Sequence, residues 1–419
     1  MTSGLHRSAL EGVDDAAALL GLPDWLRGVL RQPERTTAVQ VPYRADDGEV
    51  RVVSGWRVAH STARGPAKGG TRFHPEVTGE EVAGLATLMS LKTAVMDLPL
   101  GGGKGGVAVD PKRLSAAEQE SLTRGYTRAI AHAIGVERDV PAPDVGTSAS
   151  HMDWMADEHA RVTGVHEPGV VTGKSLAAHG SLGRDTATAA GCRCVTRASA
   201  RRLGLPADAR VIVQGFGNAG AHLARMLAAE GMRVVAVSDS GGGITDPAGL
   251  DVAAVEATKA RHGSVTAHPG VARVTHEELL ALPCDVLVPA ALGGAVDADG
   301  AAALQASLVV EAANGPCTGA ADAVLAERGI TVVPDVLASG GGVTVSCFEW
   351  QQNRARERWS AEQVGRLLEQ RMERALEGLW HAAEQRGLPL RPAATVLAVE
   401  RVAQAVEARE LAPAAVLAS

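Results

Sequence analysis

The chain has 419 residues, 46% of them apolar and 21% charged, with a formal net charge of −7. That length supports two or three domains with cores of their own, and that composition excludes a disordered chain. The acidic balance, with no basic face carrying interleaved aromatics, excludes a general nucleic-acid binder, so any anion site must be local. Residues 1 to 10 carry no apolar signal core, and no segment approaches the ~20 apolar residues of a membrane span, so a cytoplasmic protein is expected. Residues 1 to 35 read as peripheral helix, with Leu10, Val13, Ala17 and Leu20 at helical spacing. Thr37 to Tyr43 and Val50 to His60 read as a hairpin around Ala45-Asp-Asp-Gly48, and Glu80 to Val95 as a helix ending near Lys92. A glycine loop is expected over 101–106, then a short strand at Val107 to Val109. Ser115 to Ile134 reads as a helix opened by a Ser115/Glu118 capping box. Pro141 and Pro143 stiffen the segment before Asp144, which is read either as a presented carboxylate or as the cap of a helix from Ser148.

The lysines are the informative residues of this half. Among 41 basic residues only six are lysines, and three of these, Lys68, Lys92 and Lys104, fall between Gly65 and Pro111. Arginine holds its charge at any working pH, whereas lysine is pushed toward neutrality by burial and like charge and then moves protons. Lys68 and Lys104 sit among glycines, where backbone closes tightly on a small ligand. The three amines are expected to surround a small anionic substrate. Neither Gly169-Val-Val-Thr-Gly173 before Lys174 nor Gly101-Gly-Gly-Lys104-Gly105 has the spacing of a nucleoside triphosphate loop.

A domain boundary is expected near Gly180, giving an N-terminal α/β substrate domain over 1–179 and a dinucleotide domain over 180–350. Asp185 to Leu203 reads as helix; the five cysteines, including Cys192 and Cys194 within it, are odd in number and scattered, and fit buried thiols better than disulfides or zinc. Arg210 to Gln214 is a buried strand, Gly215-Phe216-Gly217-Asn218-Ala-Gly220 follows it, Ala221 to Glu230 is helical, and Arg233 to Ser238 delivers Asp239. In that context G-x-G-x-x-G reads as a Rossmann fingerprint: pyrophosphate over the helix N-terminus, Asp239 on the adenosine ribose. Strands at Cys284 to Pro289, Leu308 to Glu311 and Thr331 to Asp335 continue the sheet and place Ala290 and Asn314 near the nicotinamide half. One helix from Ser339 to about Arg386, a break at Gly387 to Pro392 and a last helix over Ala393 to Glu410 form a C-terminal segment, 351–419, bridging back to the first domain.

In order and content these motifs resemble the glutamate/leucine/phenylalanine/valine dehydrogenase family. Leu98-Pro-Leu-Gly-Gly-Gly-Lys104-Gly-Gly-Val-Ala-Val-Asp110-Pro111 matches the family's active-site signature at every fixed position, and the similarity extends from about Thr37 to the last helix. It looks closest to the glutamate-specific members, because Lys68 stands where the apolar-substrate members have an apolar residue and Ser346 where the glutamate-specific members keep a serine. The resemblance implies reversible NAD(P)-dependent oxidative deamination of L-glutamate to 2-oxoglutarate and ammonia, by a homohexamer. It implies that Lys68 and Ser346, with Gly69 and Val343, bind the side-chain carboxylate end, and Lys92 the α-carboxylate. Lys104 would be the general base and Asp144 the proton exchanger; of three mutually repelling amines, the one least compensated by substrate would titrate lowest. Arg184, Thr188, the Gly215–Gly220 turn, Asp239, Ser240, Ala290 and Asn314 would hold the cofactor, with NAD favoured over NADP by Asp239. The chain departs from the family pattern at Leu91, at His179-Gly-Ser181, at Ala187-Thr188-Ala189 and at Ser339-Gly-Gly-Gly342, the last expected nearest the substrate. The same chemistry on another amino acid, and a non-catalytic dinucleotide-binding paralogue, remain as alternatives.

Overall fold

The computed structural model describes residues 2–410. Met1 and the last nine residues of the expected C-terminal segment, 411–419, lie outside the described residues. The chain divides into two units, one holding the residues up to Arg184 with Val343–Val364 and the chain from Thr395 on, the other Asp185–Gly342 with Gly365–Ala394. Residues 343 to 350, expected in the dinucleotide domain, thus belong to the first unit, and the C-terminal part returns to that unit twice.

The first unit opens with α1 (Thr2–Leu19) and α2 (Asp24–Arg31), followed by β1 (Arg35–Arg44), β2 (Val50–Ser61), β3 (Ala67–Phe73), α3 (Gly79–Val95), β4 (Gly102–Val107), α4 (Ala116–Ile130), β5 (Asp139–Pro143) and α5 (Ala149–Thr163). Its five-stranded sheet runs β1-β2-β4-β3-β5. Strands β1 and β2 pair antiparallel as a hairpin, whereas β3 runs parallel to both β4 and β5. Val41, Phe73, Val107, Leu122, Tyr126 and Met152 meet in the core under this sheet. The Ser115/Glu118 capping box is present, and α4 ends at Ile130, four residues short of the expected Ile134.

The glycine run of residues 101 to 106 is not a loop. Gly102 to Val107 form the fully buried strand β4, paired on both sides. The glycines are there because protein crowds them: a Cβ at Gly102 would lie 2.2 Å from the Ser90 nitrogen of α3, and one at Gly105 would lie 2.7 Å from the Tyr126 hydroxyl. They admit neighbouring elements rather than ligand backbone. Prolines 141 and 143 are tolerated in β5 because it is an edge strand.

The second unit contains α6 (Ala187–Arg202), β6 (Arg210–Gln214), α7 (Asn218–Ala229), β7 (Arg233–Asp239), β8 (Gly242–Thr245), α8 (Val252–His262), β9 (Ala272–Val274), α9 (His276–Leu280), β10 (Val286–Pro289), α10 (Ala298–Ala303), β11 (Leu308–Val310), α11 (Gly319–Glu327), β12 (Thr331–Val333) and α12 (Asp335–Ala338). Its sheet runs β12-β11-β10-β6-β7-β8-β9, parallel from β12 to β7 with β8 and β9 added antiparallel. Strand order reverses between β6 and β10, the place where doubly wound sheets bind ligands. The five cysteines are buried, and none forms a disulfide among the described residues.

The expected single helix from Ser339 to Arg386 is two, α13 (Gly341–Ala355) and α14 (Ala361–Arg386). Arg356 takes a left-handed φ of 58°, and Gln352 Oε1 accepts the Trp359 amide, which closes the turn between them. The last helix, α15 (Leu390–Glu410), starts three residues early, since Pro392 in its first turn has no amide to leave unpaired.

Candidate active site

Three parallel neighbours, β3, β4 and β5, bring the expected substrate residues together in the first unit. Lys104 Nζ donates to Asp144 Oδ2. Asp144 does not cap α5, whose N-cap is Ser148. Its Oδ1 accepts from Arg72 Nε at 3.0 Å and from the Val145 amide at 2.8 Å, and its own amide donates to Thr147 Oγ1 at 2.8 Å. Burial works to raise the Asp144 carboxyl, but Lys104 and Arg72 outweigh it and hold it at about 2. Gly70 makes room for this carboxylate: a Cβ there would lie 2.7 Å from Asp144 Cβ.

Lys68 lies on β3 with 1% of its surface exposed, and no hydrogen bond or ion pair reaches its Nζ among the described residues. Burial, helped by the nearby charges of Arg57 and Arg184, pushes its amine well below the usual lysine range, against the pull of Glu349 and Asp139. Arg57 is spent on Asp139, with Nε to Oδ2 at 3.0 Å, and on the Gly69 carbonyl at 3.1 Å. Glu349 is spent on Lys174, whose Nζ lies 2.6 Å from Oε1, both side chains fully buried. Gly69 next to Lys68 is obligatory, since a Cβ would fall 1.6 Å from the Gly103 carbonyl oxygen. Lys92 stands in the last turn of α3.

Ser346 is buried on α13 and accepts from Arg184 Nε at 3.2 Å, with Val343 one turn earlier and half-buried. Arg184, expected at the cofactor, thus belongs to the first unit and joins Lys68 and Ser346. The Ser339–Gly342 departure is engaged in packing within the second unit. Ser339 Oγ donates to the Asp335 carbonyl at 2.7 Å, and a Cβ at Gly341 would lie 2.1 Å from the Ala187 carbonyl of α6.

The second unit carries the remaining expected residues. Gly215 turns the chain out of β6 with φ of 103°, directly against Ala290 and Ala291 at the end of β10, where an added Cβ would lie 2.7 Å from the Ala291 nitrogen. Gly220 packs on the Gly215 carbonyl, while Gly217 has open space where a side chain would stand. Helix α7 begins at Asn218, three residues earlier than expected, and no side chain caps its N-terminus. Free amides over an open glycine turn fit a dinucleotide pyrophosphate. Thr188 lies in the first turn of α6, and Asn314 and Ser240 are exposed beyond β11 and β7.

Asp239, expected to take the adenosine ribose hydroxyls, is held by four donors. Its Oδ1 accepts from the Gly241 amide (2.9 Å) and Ser264 Oγ (2.9 Å); its Oδ2 accepts from the Val265 amide (2.8 Å) and pairs with Lys259 Nζ (3.1 Å). Burial opposes its ionisation, and these donors hold it below the usual carboxylate range all the same. Lys259, twenty residues on in sequence, is brought back by α8 onto Asp239 and the Phe216 carbonyl at 2.7 Å.

Arg72, Gly70 and Lys259 had drawn no role from the sequence. Of these only Lys259 carried a signal, as one of six lysines; Arg72 is one arginine among 35.

The Glu/Leu/Phe/Val dehydrogenase dimerisation domain matches residues 33–161, and the Glutamate/Leucine/Phenylalanine/Valine dehydrogenase model matches residues 180–410. A glutamate dehydrogenase of Thermotoga maritima is 48% identical, covering 98% of this chain and 99% of its own. An NAD-specific glutamate dehydrogenase of Staphylococcus aureus is 42% identical over 95% of this chain and 96% of its own. The hetero-hexameric glutamate dehydrogenase of Thermus thermophilus, solved in a leucine-bound form, superposes with a TM-score of 0.90 at 43% identity, covering 98% of each chain. With the lysine cluster, the Lys104–Asp144 contact and the dinucleotide turn all in place, the chain belongs to the glutamate/leucine/phenylalanine/valine dehydrogenase family.

Proposed function

We propose that this protein catalyses the reversible oxidative deamination of L-glutamate to 2-oxoglutarate and ammonia with NAD, as a homohexamer. The observation that carries the substrate assignment is Lys68: a buried amine with no carboxylate in ion-pair reach, beside an Arg184–Ser346 pair. A side-chain carboxylate supplies the missing negative charge, and an aliphatic side chain would leave the amine buried and unpaired. Lys92 holds the α-carboxylate.

NAD, when bound over the Gly215–Gly220 turn, supplies the acceptor for the hydride that leaves the substrate Cα. The Asp144 carboxylate, ionised throughout the working range, takes a proton from the substrate amino group through Oδ2, the oxygen it shares with Lys104. Lys104 accepts one proton of the water that adds to the imine carbon, Asp144 returns its proton to the departing nitrogen, and as ammonia leaves the remaining hydroxyl proton passes to solvent and the carbonyl forms. Thr188, Asn218 and Asn314 orient the nicotinamide half. The Thermotoga relative, a glutamate dehydrogenase, supports the substrate, and the Staphylococcus relative, an NAD-specific glutamate dehydrogenase, supports both substrate and cofactor.

The test is a panel of 2-oxo acids with ammonia, run in parallel with NADH and NADPH. Turnover of 2-oxoglutarate above the branched and aromatic 2-oxo acids is expected, faster with NADH. No turnover of 2-oxoglutarate with either cofactor overturns the proposal.

A further inference from the structure

We infer that Arg72 is a positioning residue for catalysis: it fixes one oxygen of Asp144 so that the other is presented to Lys104 and the substrate nitrogen. The inference rests on Asp144 being the proton exchanger. Arg72 extends from β3 between two carboxylates. Its Nε donates to Asp144 Oδ1 at 3.0 Å and its Nη1 to Glu81 Oε1 at 2.8 Å. Glu81 is itself fixed, in the first turn of α3, where its amide donates to the Thr78 N-cap hydroxyl at 3.2 Å. The guanidinium is thus held from the side away from the reaction, and transmits that fixity to Asp144.

The two carboxylate oxygens are left unequal. Oδ1 accepts from Arg72 Nε and the Val145 amide, which fills its lone pairs. Among the described residues Oδ2 accepts from Lys104 alone and keeps a lone pair for an incoming proton. The missing Cβ of Gly70, which would lie 2.8 Å from Oδ2, keeps that side open. Lys104 of β4 and Arg72 of β3 are the charged groups facing Asp144, with Glu81 of α3 behind Arg72. Only a planar fork reaches both carboxylates along separate N–H directions; an ammonium is a point charge without that geometry. Arg72 is not assigned to substrate, so its loss is expected in the chemical step and in the protonation of Asp144 rather than in substrate binding.

The experiment compares Arg72→Gln, Arg72→Lys and Asp144→Asn in the full chain, measuring kcat and KM for 2-oxoglutarate across pH. For R72Q, kcat is expected to fall roughly 10- to 100-fold with KM within about twofold of wild type. The acid limb of its pH profile is expected about one unit higher, because Asp144 has lost an opposite charge and a donor. R72K is expected to recover most of the limb position but only part of kcat. An R72Q enzyme with wild-type kcat and limb, or one whose loss lies wholly in KM, overturns the inference. If R72Q does not fold, R72K decides: wild-type kcat there removes the orienting role. Asp144→Asn separates the two claims, since an active D144N defeats the proton-exchange reading itself, whereas an inactive D144N beside an unaffected R72Q defeats only the positioning.

Discussion

Lys68 was legible in the sequence because lysine is rare in this chain, six among 41 basic residues. Its environment was not, because Arg57, Asp139, Arg184 and Glu349 come from four separate stretches and only the fold gathers them. That environment has a consequence for binding. The unliganded amine sits well below the ordinary lysine range, and a carboxylate arriving beside it raises it again. The bound state therefore holds more protons than the free state in the interval between the two values. Affinity is full below the lower value, where Lys68 is charged in both states, and falls as pH rises through the interval. Glutarate, a dicarboxylate without a reactive carbon, is the probe. Calorimetric titration in buffers of different ionisation enthalpy should show proton uptake with the wild type and none with Lys68→Met. Binding that releases protons, or an equal uptake by K68M, would contradict the assignment of the side-chain carboxylate to Lys68.

At the scale of elements, the hydrophobic and capped segments were read well and the glycine segment was not. Strand β6, the Gly215 turn, and α4 with its capping box follow from alternation, apolar runs and cap residues, which are written in side chains. A strand made of Gly-Gly-Lys-Gly-Gly-Val has almost no side chains to alternate, so its pairing shows only in what surrounds it. The α13–α14 break is hidden for a related reason, since it depends on a left-handed Arg356 and not on glycine or proline. The packing reading of β4 is tested by two alanines. Gly102→Ala would put Cβ 2.2 Å from the backbone of α3, which cannot give way as a flexible side chain does. Overpacking of this kind costs about 1–3 kcal/mol or more. Gly365 in α14 has nothing within 4 Å of an added Cβ, so Gly365→Ala should stabilise by about 0.5–1 kcal/mol through helix propensity. Thermal melting of the two variants should move in opposite directions. A G102A protein melting at or above wild type would return the glycines to a ligand-binding role.

The whole molecule separates its tasks, with the lysine cluster on one unit and the dinucleotide turn on the other, and it leaves one structural problem unsolved within a single chain. Strand β1 is ten residues long and, among the described residues, paired on one side only, to β2. Its outward residues Thr36, Ala38, Gln40 and Pro42 are exposed, and Val50 and Val52 on the adjoining end of β2 are 59% and 58% exposed. An unprotected edge of that length invites pairing with any other strand, and natural proteins cover such edges or charge them. Here the exposed face carries Pro42 and Arg44 at its far end, but no charge and no proline at Thr36, Ala38 and Gln40. A second copy meeting it across a two-fold axis would close the edge with its own β1, and the dimerisation-domain model that matches this chain begins two residues before the strand. In such an isologous contact every substituted residue faces its counterpart or a near neighbour, so acidic side chains repel their own copies. Light scattering should give a wild-type mass near six times 43.1 kDa. The double variant Ala38→Asp/Gln40→Asp should run as a smaller species while keeping its folded spectrum, because both positions are exposed within one chain. A variant that keeps the wild-type mass would move the interface away from β1, and a wild type that runs at 43.1 kDa would remove the assembly altogether.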